Sequence, residues 1–128
     1  MNEIAVDYGR KRTGFAICLV GIVLPLPPLA ETTWDSIADR LKHIQNENGS
    51  GRIILGLPLT AAGKPTELSD EVEKLSGYLE TRGFIVELVR ETGSTLETEG
   101  DVQVNRRRDG KKDSLAAMII LKRYLGMP

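Results

Sequence analysis

Three acidic residues stand at positions where carboxylates could hold a metal ion. Asp7 lies in a short apolar stretch, Glu91 directly follows a second one, and Asp113 precedes an apolar segment with helical spacing. If neighbouring strands brought these side chains together, the three charges would repel one another unless a cation joined them. Oxygen-only ligands favour magnesium or manganese. The three acids therefore predict a site for Mg²⁺ or Mn²⁺.

Each acid also has a purely structural interpretation. Asp7 could be a turn or edge residue, and Glu91 a solvated charge at the end of a strand. Asp113 stands where the N-terminus of a helix favours a negative side chain without any function. None of the three decides the matter alone.

Basic side chains flank two of the acids. Arg10, Lys11 and Arg12 follow Asp7 within a turn-rich stretch. A second basic group comes just before Asp113 and consists of Arg106, Arg107, Arg108, Lys111 and Lys112. Both groups could bind the phosphates of a nucleic acid on either side of a scissile bond, or be solvated loop charges.

The elements that must position these residues follow from hydrophobic patterning. Apolar and β-branched runs predict strands at 3–8, 13–20, 21–25, 52–57 and 84–89, and periods of three and four residues predict helices starting at Thr32, spanning Leu68 to Leu79, and at 114–125. An antiparallel meander followed by two helical crossovers predicts an α/β fold with a mixed five-stranded sheet and helices on both faces.

Length and composition limit the alternatives. The chain has 128 residues, of which 41% are hydrophobic and 27% charged, and we expect one globular domain over 1–128. Cys18 is the single cysteine, so no disulfide forms within the chain. The longest apolar run, 21–30, is interrupted by prolines and is shorter than the roughly 20 residues of a membrane span. We expect a cytoplasmic protein without membrane contact.

Net charge is −1 overall, which argues against a generic polyanion-binding protein. The distribution is uneven, because residues 1–100 carry 10 basic and 15 acidic side chains while residues 101–128 carry 7 basic and 3 acidic ones. A net of −5 is thus followed by a net of +4. The positive segment predicts local contact with a phosphate backbone.

Three blocks of the sequence resemble the YqgF, or RuvX, family of ribonuclease-H-like nucleases, described as Holliday-junction resolvases and pre-16S rRNA processing nucleases. The opening 4–14 reads I-A-V-D-Y-G-R-K-R-T-G, the central 53–59 reads I-I-L-G-L-P-L, and 112–117 reads K-D-S-L-A-A. The blocks occur in the family's order and span essentially the whole chain.

The resemblance implies a two-metal phosphodiesterase. Asp7 corresponds to the family's aspartate on the first strand, Asp113 to the aspartate of the C-terminal helix, and Glu91 to the glutamate of an Asp-Glu-Arg triplet. It implies hydrolysis with Asp7 bridging two ions and the other acids each holding one side. Here the triplet reads Arg90-Glu91-Thr92, which keeps the acid and lacks the flanking aspartate and arginine.

Two other function classes remain open. The altered triplet favours, as an alternative to the nuclease, a nucleic-acid-binding module of the same fold with impaired catalysis. A nucleotide-binding domain of the actin and sugar-kinase superfamily shares the first-strand aspartate, but it needs two lobes to enclose ATP.

The expected partner is branched DNA or precursor rRNA, and the expected state is a monomer or a weak homodimer.

Overall fold

A mixed five-stranded sheet forms the centre of the computed structural model, which describes residues 2–91 and 110–127, without the side chains of 110–113. The strands are β1 (Ile4–Asp7), β2 (Thr13–Leu19), β3 (Ile22–Leu29), β4 (Ile53–Pro58) and β5 (Val86–Glu91). The helices are α1 (Trp34–Asn48), α2 (Glu67–Thr81) and α3 (Gly110–Leu125).

The strand order is β3-β2-β1-β4-β5. β1 pairs antiparallel with β2 and parallel with β4, and β4 pairs parallel with β5. This is the predicted meander followed by two crossovers. The parallel strands β1, β4 and β5 therefore end at the same edge of the sheet, hereafter the carboxyl edge.

Helices cover both faces of the sheet, as predicted. On one face α1 and α2 bury a core that includes Val6, Leu41, Leu55 and Leu75. On the other face α3 packs on a smaller cluster that includes Ala5, Ile54, Ala117 and Leu121, the smaller of which let the helix lie close to the strands. No helix in 2–91 or 110–127 is long and apolar enough to cross a membrane.

Capping boxes start α1 and α2. Thr33 accepts a hydrogen bond from the Ser36 amide while Ser36 accepts one from the Thr33 amide, and Thr66 and Ser69 repeat the pattern. Each box satisfies amide donors that have no partner within the first turn. The predicted Thr-rich start of α1 is thus shifted by one residue, with Thr33 as the cap.

Three predicted boundaries were wrong, and two of them concern the candidate acids. β3 extends to Leu29 through its prolines, which an edge strand tolerates because its outer amides need no partner. Glu91 is the last residue of β5 and not the residue after it. Asp113 lies in the first turn of α3, which begins at Gly110 and not at 114. Long-range pairing and helix docking override local pattern at these ends.

Candidate active site

Asp7 and Glu91 lie at the carboxyl edge on the same face of the sheet. Side chains alternate along a strand, so Asp7 shares the α3 face with Ala5, which belongs to the core beneath α3. Glu91 lies on that face too, because its carboxylate contacts Arg123 of α3. The two acids end strands that flank β4 on either side.

The register sets the spacing of the two acids. Val6 lies opposite Leu55, so Asp7 falls beside Gly56, while Glu91 lies opposite Pro58, two residues further along. Strand spacing and rise per residue then place the two Cα atoms about 12 Å apart. The side chains of Asp7 and Glu91 can extend towards each other, which brings their carboxylates closer together than the two Cα atoms.

Glu91 is a buried acid that contacts the charged side chain of Arg123. Its residue surface is 7% exposed, and its Oε2 accepts a hydrogen bond from Arg123 Nη1 at 3.1 Å. Burial raises the pKa of the Glu91 carboxyl, an effect that the positive charge of Arg123 only partly opposes. The ionised form of Glu91 is therefore under-stabilised, which is the state that an added cation would relieve.

Gly56 gives this part of the site its close packing. A Cβ atom at this position would lie 2.5 Å from Ile120 Cδ1 of α3 and 3.4 Å from Glu91 Cγ. Only a glycine lets the helix and the Glu91 side chain approach the backbone of β4 this closely. The glycine of the Gly56-Leu57-Pro58 run thus has a packing role directly beside the candidate acid.

Asp113 has a described backbone and an undescribed side chain. Its helix is fixed close by, since the Ser114 hydroxyl donates a hydrogen bond of 2.5 Å to the Leu26 carbonyl of β3, and Ser114 is 2% exposed. Among the side chains that the structure describes, no three His, Cys, Asp or Glu residues group as metal ligands. The third proposed ligand lies outside that set, so the predicted triad stays a prediction.

The turn after Asp7 is held in shape by short-range contacts. The buried Thr13 hydroxyl lies 3.4 Å from the Gly9 carbonyl oxygen and 3.1 Å from the Thr32 hydroxyl. At Gly9 a Cβ atom would come within 2.4 Å of the Arg12 carbonyl oxygen. Local packing and hydrogen bonding therefore explain the presence of Gly9 and Thr13 in the opening motif.

Arg10 is engaged by acids of α2. Its Nε donates to Glu71 Oε2 at 2.8 Å and one of its Nη atoms contacts the same oxygen, while Glu67 lies 3.7 Å away. Tyr8 donates its hydroxyl hydrogen to the other Glu71 oxygen at 3.1 Å. The prediction that Arg10 binds phosphate did not include these partners on α2.

The other basic residues divide into two sets. Lys11 and Arg12 are exposed in the turn after β1. Arg106, Arg107 and Arg108 lie outside the described residues, as do the side chains of Lys111 and Lys112. Phosphate binding by all of these stays a prediction.

The donor set fits a hard divalent cation. Asp7 and Glu91 offer carboxylate oxygens alone, the ligands that magnesium and manganese prefer. The burial of the Glu91 carboxylate is the structural observation in favour of such an ion.

The sequence patterns did not identify Arg123 and Glu71 as neighbours of the predicted site residues. Arg123 lies three residues after Ile120, which packs on the sheet, so the helical period places this arginine near the same face. A basic residue next to a sheet-facing position predicts an acidic partner on the sheet, so the sequence did contain a signal for this contact. Glu71 gave no such signal, because it meets Arg10 across 61 residues of sequence.

Comparison with known proteins identifies relatives over the whole chain. A model of the RuvX family, described as Holliday junction resolvase, matches residues 1–127. A Campylobacter jejuni (strain 81-176) protein is 30% identical over 129 residues, covering 99% of this chain and 100% of the relative. A Maridesulfovibrio salexigens protein is 31% identical over 132 residues, covering 98% of both chains. Both relatives carry the name "Putative pre-16S rRNA nuclease".

A solved structure supports the fold. The large terminase nuclease from thermophilic phage G20c superposes with a TM-score of 0.50 at 17% identity, covering 70% of this chain and 44% of that chain. At this identity the similarity speaks for the fold alone. With the family match over 1–127, the mixed sheet and the predicted ribonuclease-H-like fold, the chain belongs to the RuvX family of Holliday junction resolvases, a family of phosphodiester hydrolases.

Proposed function

We propose that this protein is a metal-dependent endonuclease that hydrolyses phosphodiester bonds of structured nucleic acid. The observation that carries the proposal is the buried carboxylate of Glu91 on the same face and edge of the sheet as Asp7. A solvated strand-end charge, the structural alternative for Glu91, would not be 7% exposed. Burying a charge that is only partly compensated costs folding free energy. The burial of Glu91 therefore favours a functional site over a purely structural role.

Asp7, Glu91 and Asp113 would hold the Mg²⁺ or Mn²⁺ ions. The bound ions would supply an activated water and neutralise charge on the leaving 3′ oxygen. The chain's own contribution is placement. The pairing of β1 with β4 and of β4 with β5 fixes Asp7 relative to Glu91, and α3 carries Asp113 on a helix anchored by Ser114.

Arg123 contributes to the orientation of Glu91. Its guanidinium contacts Oε2 of that carboxylate, which restrains the side chain against the strand end. The side chain of Arg123 is 38% exposed, so solvent screens part of its charge. Glu91 therefore keeps an unfavourable charge that ion binding would stabilise.

The family and its named relatives support the choice of substrate. We propose branched DNA such as a four-way junction, or the 5′ end of precursor 16S rRNA, as the nucleic acid that is cut. Symmetric cutting of a junction would need two subunits, whereas trimming of an RNA can be done by one. A monomer or weak homodimer acting in the cytoplasm is consistent with either substrate.

The test is cleavage by purified protein. A labelled four-way junction and a precursor 16S rRNA fragment are incubated with Mg²⁺ or Mn²⁺, using wild type and Asp7→Asn. We expect wild type to cut at least one substrate and Asp7→Asn to cut neither while binding nearly as well, since one neutral oxygen ligand replaces a charged one.

The outcomes separate the two function classes. Binding without cleavage by wild type would favour the catalytically impaired binding module that the Arg90-Glu91-Thr92 triplet suggests. Cleavage by Asp7→Asn at the wild-type rate would remove Asp7 from the site. Asp39→Asn, an exposed change of the same type on α1, is the matched control and should cut as wild type does.

A further inference from the structure

Glu71 connects the turn after Asp7 to α2. One carboxylate oxygen receives Arg10 Nε and a Nη atom, and the other receives the Tyr8 hydroxyl. Both oxygens are therefore used by residues that directly follow the candidate metal ligand. The hydrogen bond from Arg10 lowers the pKa of Glu71, so this acid is charged at neutral pH.

Two acidic side chains lie close to Arg10. A single guanidinium faces Glu71 and, at 3.7 Å, Glu67. The Glu67 side chain is 92% exposed, whereas that of Glu71 is 32% exposed and is also fixed by Tyr8. Glu71 is thus the member of the pair that cannot easily move away when another anion approaches.

An incoming phosphate would compete with Glu71 for the same donors. Arg binds phosphate and carboxylate alike through its planar fork of N–H groups. Here the Nε side of that fork already binds a carboxylate, and a second acid is close by. Like charges placed against a ligand are a common way to exclude it from one side of a site.

We propose that Glu71 is a specificity-determining residue that neutralises Arg10 and keeps the α2 side of the site closed to the nucleic-acid backbone. Arg10 then does not count among the phosphate contacts of the native protein. This inference rests on the proposed function, since it concerns how the nucleic acid lies across that site.

The test measures binding rather than cleavage. Fluorescence anisotropy with a labelled four-way DNA junction and a labelled 5′ fragment of precursor 16S rRNA is recorded in EDTA, across salt concentrations from about 50 to 200 mM. Wild type is compared with Glu71→Gln, with Arg10→Gln/Glu71→Gln, and with Glu80→Gln. Glu80 is exposed near the opposite end of α2 and gives the same change in net charge.

Glu71→Gln should create one additional phosphate contact. We expect about five- to tenfold tighter binding near 0.1 M salt and a log K against log salt slope steeper by about 0.7 to 0.9. Glu80→Gln should keep the wild-type slope, and the double variant should return to it because Arg10 is gone. Glu67→Gln should show a smaller gain of the same sign, and it provides a second variant should Glu71→Gln fold poorly.

Three results would overturn the proposal. Weaker binding by Glu71→Gln would mean that Glu71 instead orients Arg10 for phosphate. An unchanged slope, equal to that of Glu80→Gln, would mean that Arg10 does not meet the backbone in either state. If wild type binds neither probe, the proposed function fails first and this inference fails with it, which is a separate and recognisable outcome.

Discussion

At the scale of single residues, Glu91 combines a cost in stability with a candidate role in function. It is buried, and its ionised form is only partly compensated by Arg123. A raised pKa in the folded state means that the folded protein binds the Glu91 proton more tightly than the unfolded chain does. Binding of this proton therefore adds to the free energy of unfolding. The added stability is fully present below the pKa of the unfolded chain and is lost as pH rises through the pKa of the folded protein.

Replacing Glu91 by Gln should remove this pH dependence. In EDTA, we expect the free energy of unfolding of wild type to fall relative to Glu91→Gln as pH rises from about 4 towards 7. Arg123 loses the charged carboxylate of Glu91, but its side chain is partly exposed and water can replace that carboxylate. Urea denaturation at several pH values is the measurement.

Added Mn²⁺ supplies the complementary observation. It should stabilise wild type at neutral pH and stabilise Glu91→Gln much less, because binding to the folded state alone raises stability. If the difference in the free energy of unfolding between the two proteins were constant with pH, burial would not destabilise the ionised form of Glu91.

At the scale of elements, local patterns predicted what local interactions decide. The apolar spacing of Ile37, Leu41 and Ile44 identified α1, and that of Val72, Leu75 and Leu79 identified α2. β3 contains three prolines and lies at the edge of the sheet, where a strand tolerates them. Helix and strand boundaries that depend on partners distant in sequence could not be predicted from local patterns.

The two acids at element ends illustrate the limit. β5 extends to Glu91 because that residue pairs with Pro58 of β4, and α3 begins before Asp113 although Gly110 is a weak helix former. The order of the elements predicted that the strands carrying Asp7 and Glu91 belong to one mixed sheet, whereas the face on which the two side chains lie was not predicted.

The contact between α3 and β4 can be tested at Gly56. Gly56→Ala places a Cβ atom against Ile120, so we expect a loss of about 1 to 3 kcal/mol in the free energy of unfolding. Gly77→Ala is the control. Gly77 lies in α2, where an added Cβ would meet no atom of the described residues within 4 Å apart from its chain neighbours and its own helical backbone, and alanine there should stabilise by about 0.5 to 1 kcal/mol.

A second substitution checks the cause of the loss. Ile120→Val deletes the Cδ1 atom that the new Cβ would meet at 2.5 Å. The double variant should therefore lose less stability than the two single variants added together. Strict additivity in a thermal or urea melt would show that the clash is elsewhere.

At the scale of the whole molecule, charge is distributed unevenly along the chain. The last 28 residues carry a net of +4 against −5 for the first 100. The structure adds that Arg10, one of the positive charges near Asp7, is offset by α2. The basic segment before α3 is then expected to supply most of the attraction for a phosphate backbone.

Neutralising Arg106, Arg107 and Arg108 to Gln should weaken binding and flatten its salt dependence. The slope of log K against log salt should fall by up to about 2.7 if each side chain holds one phosphate. A control that neutralises Lys42, Lys74 and Arg82, on or just after α1 and α2, should change the slope less. Equal slopes for both triple variants would place the nucleic acid elsewhere.

The proposed function requires that carboxylates from distant parts of the chain share divalent cations, and Mn²⁺ titration calorimetry measures this binding itself. We predict heat of binding for wild type and for Asp39→Asn, and a loss of that binding for Asp7→Asn, Glu91→Gln and Asp113→Asn. Equal Mn²⁺ binding by wild type and all three of these variants would contradict the account.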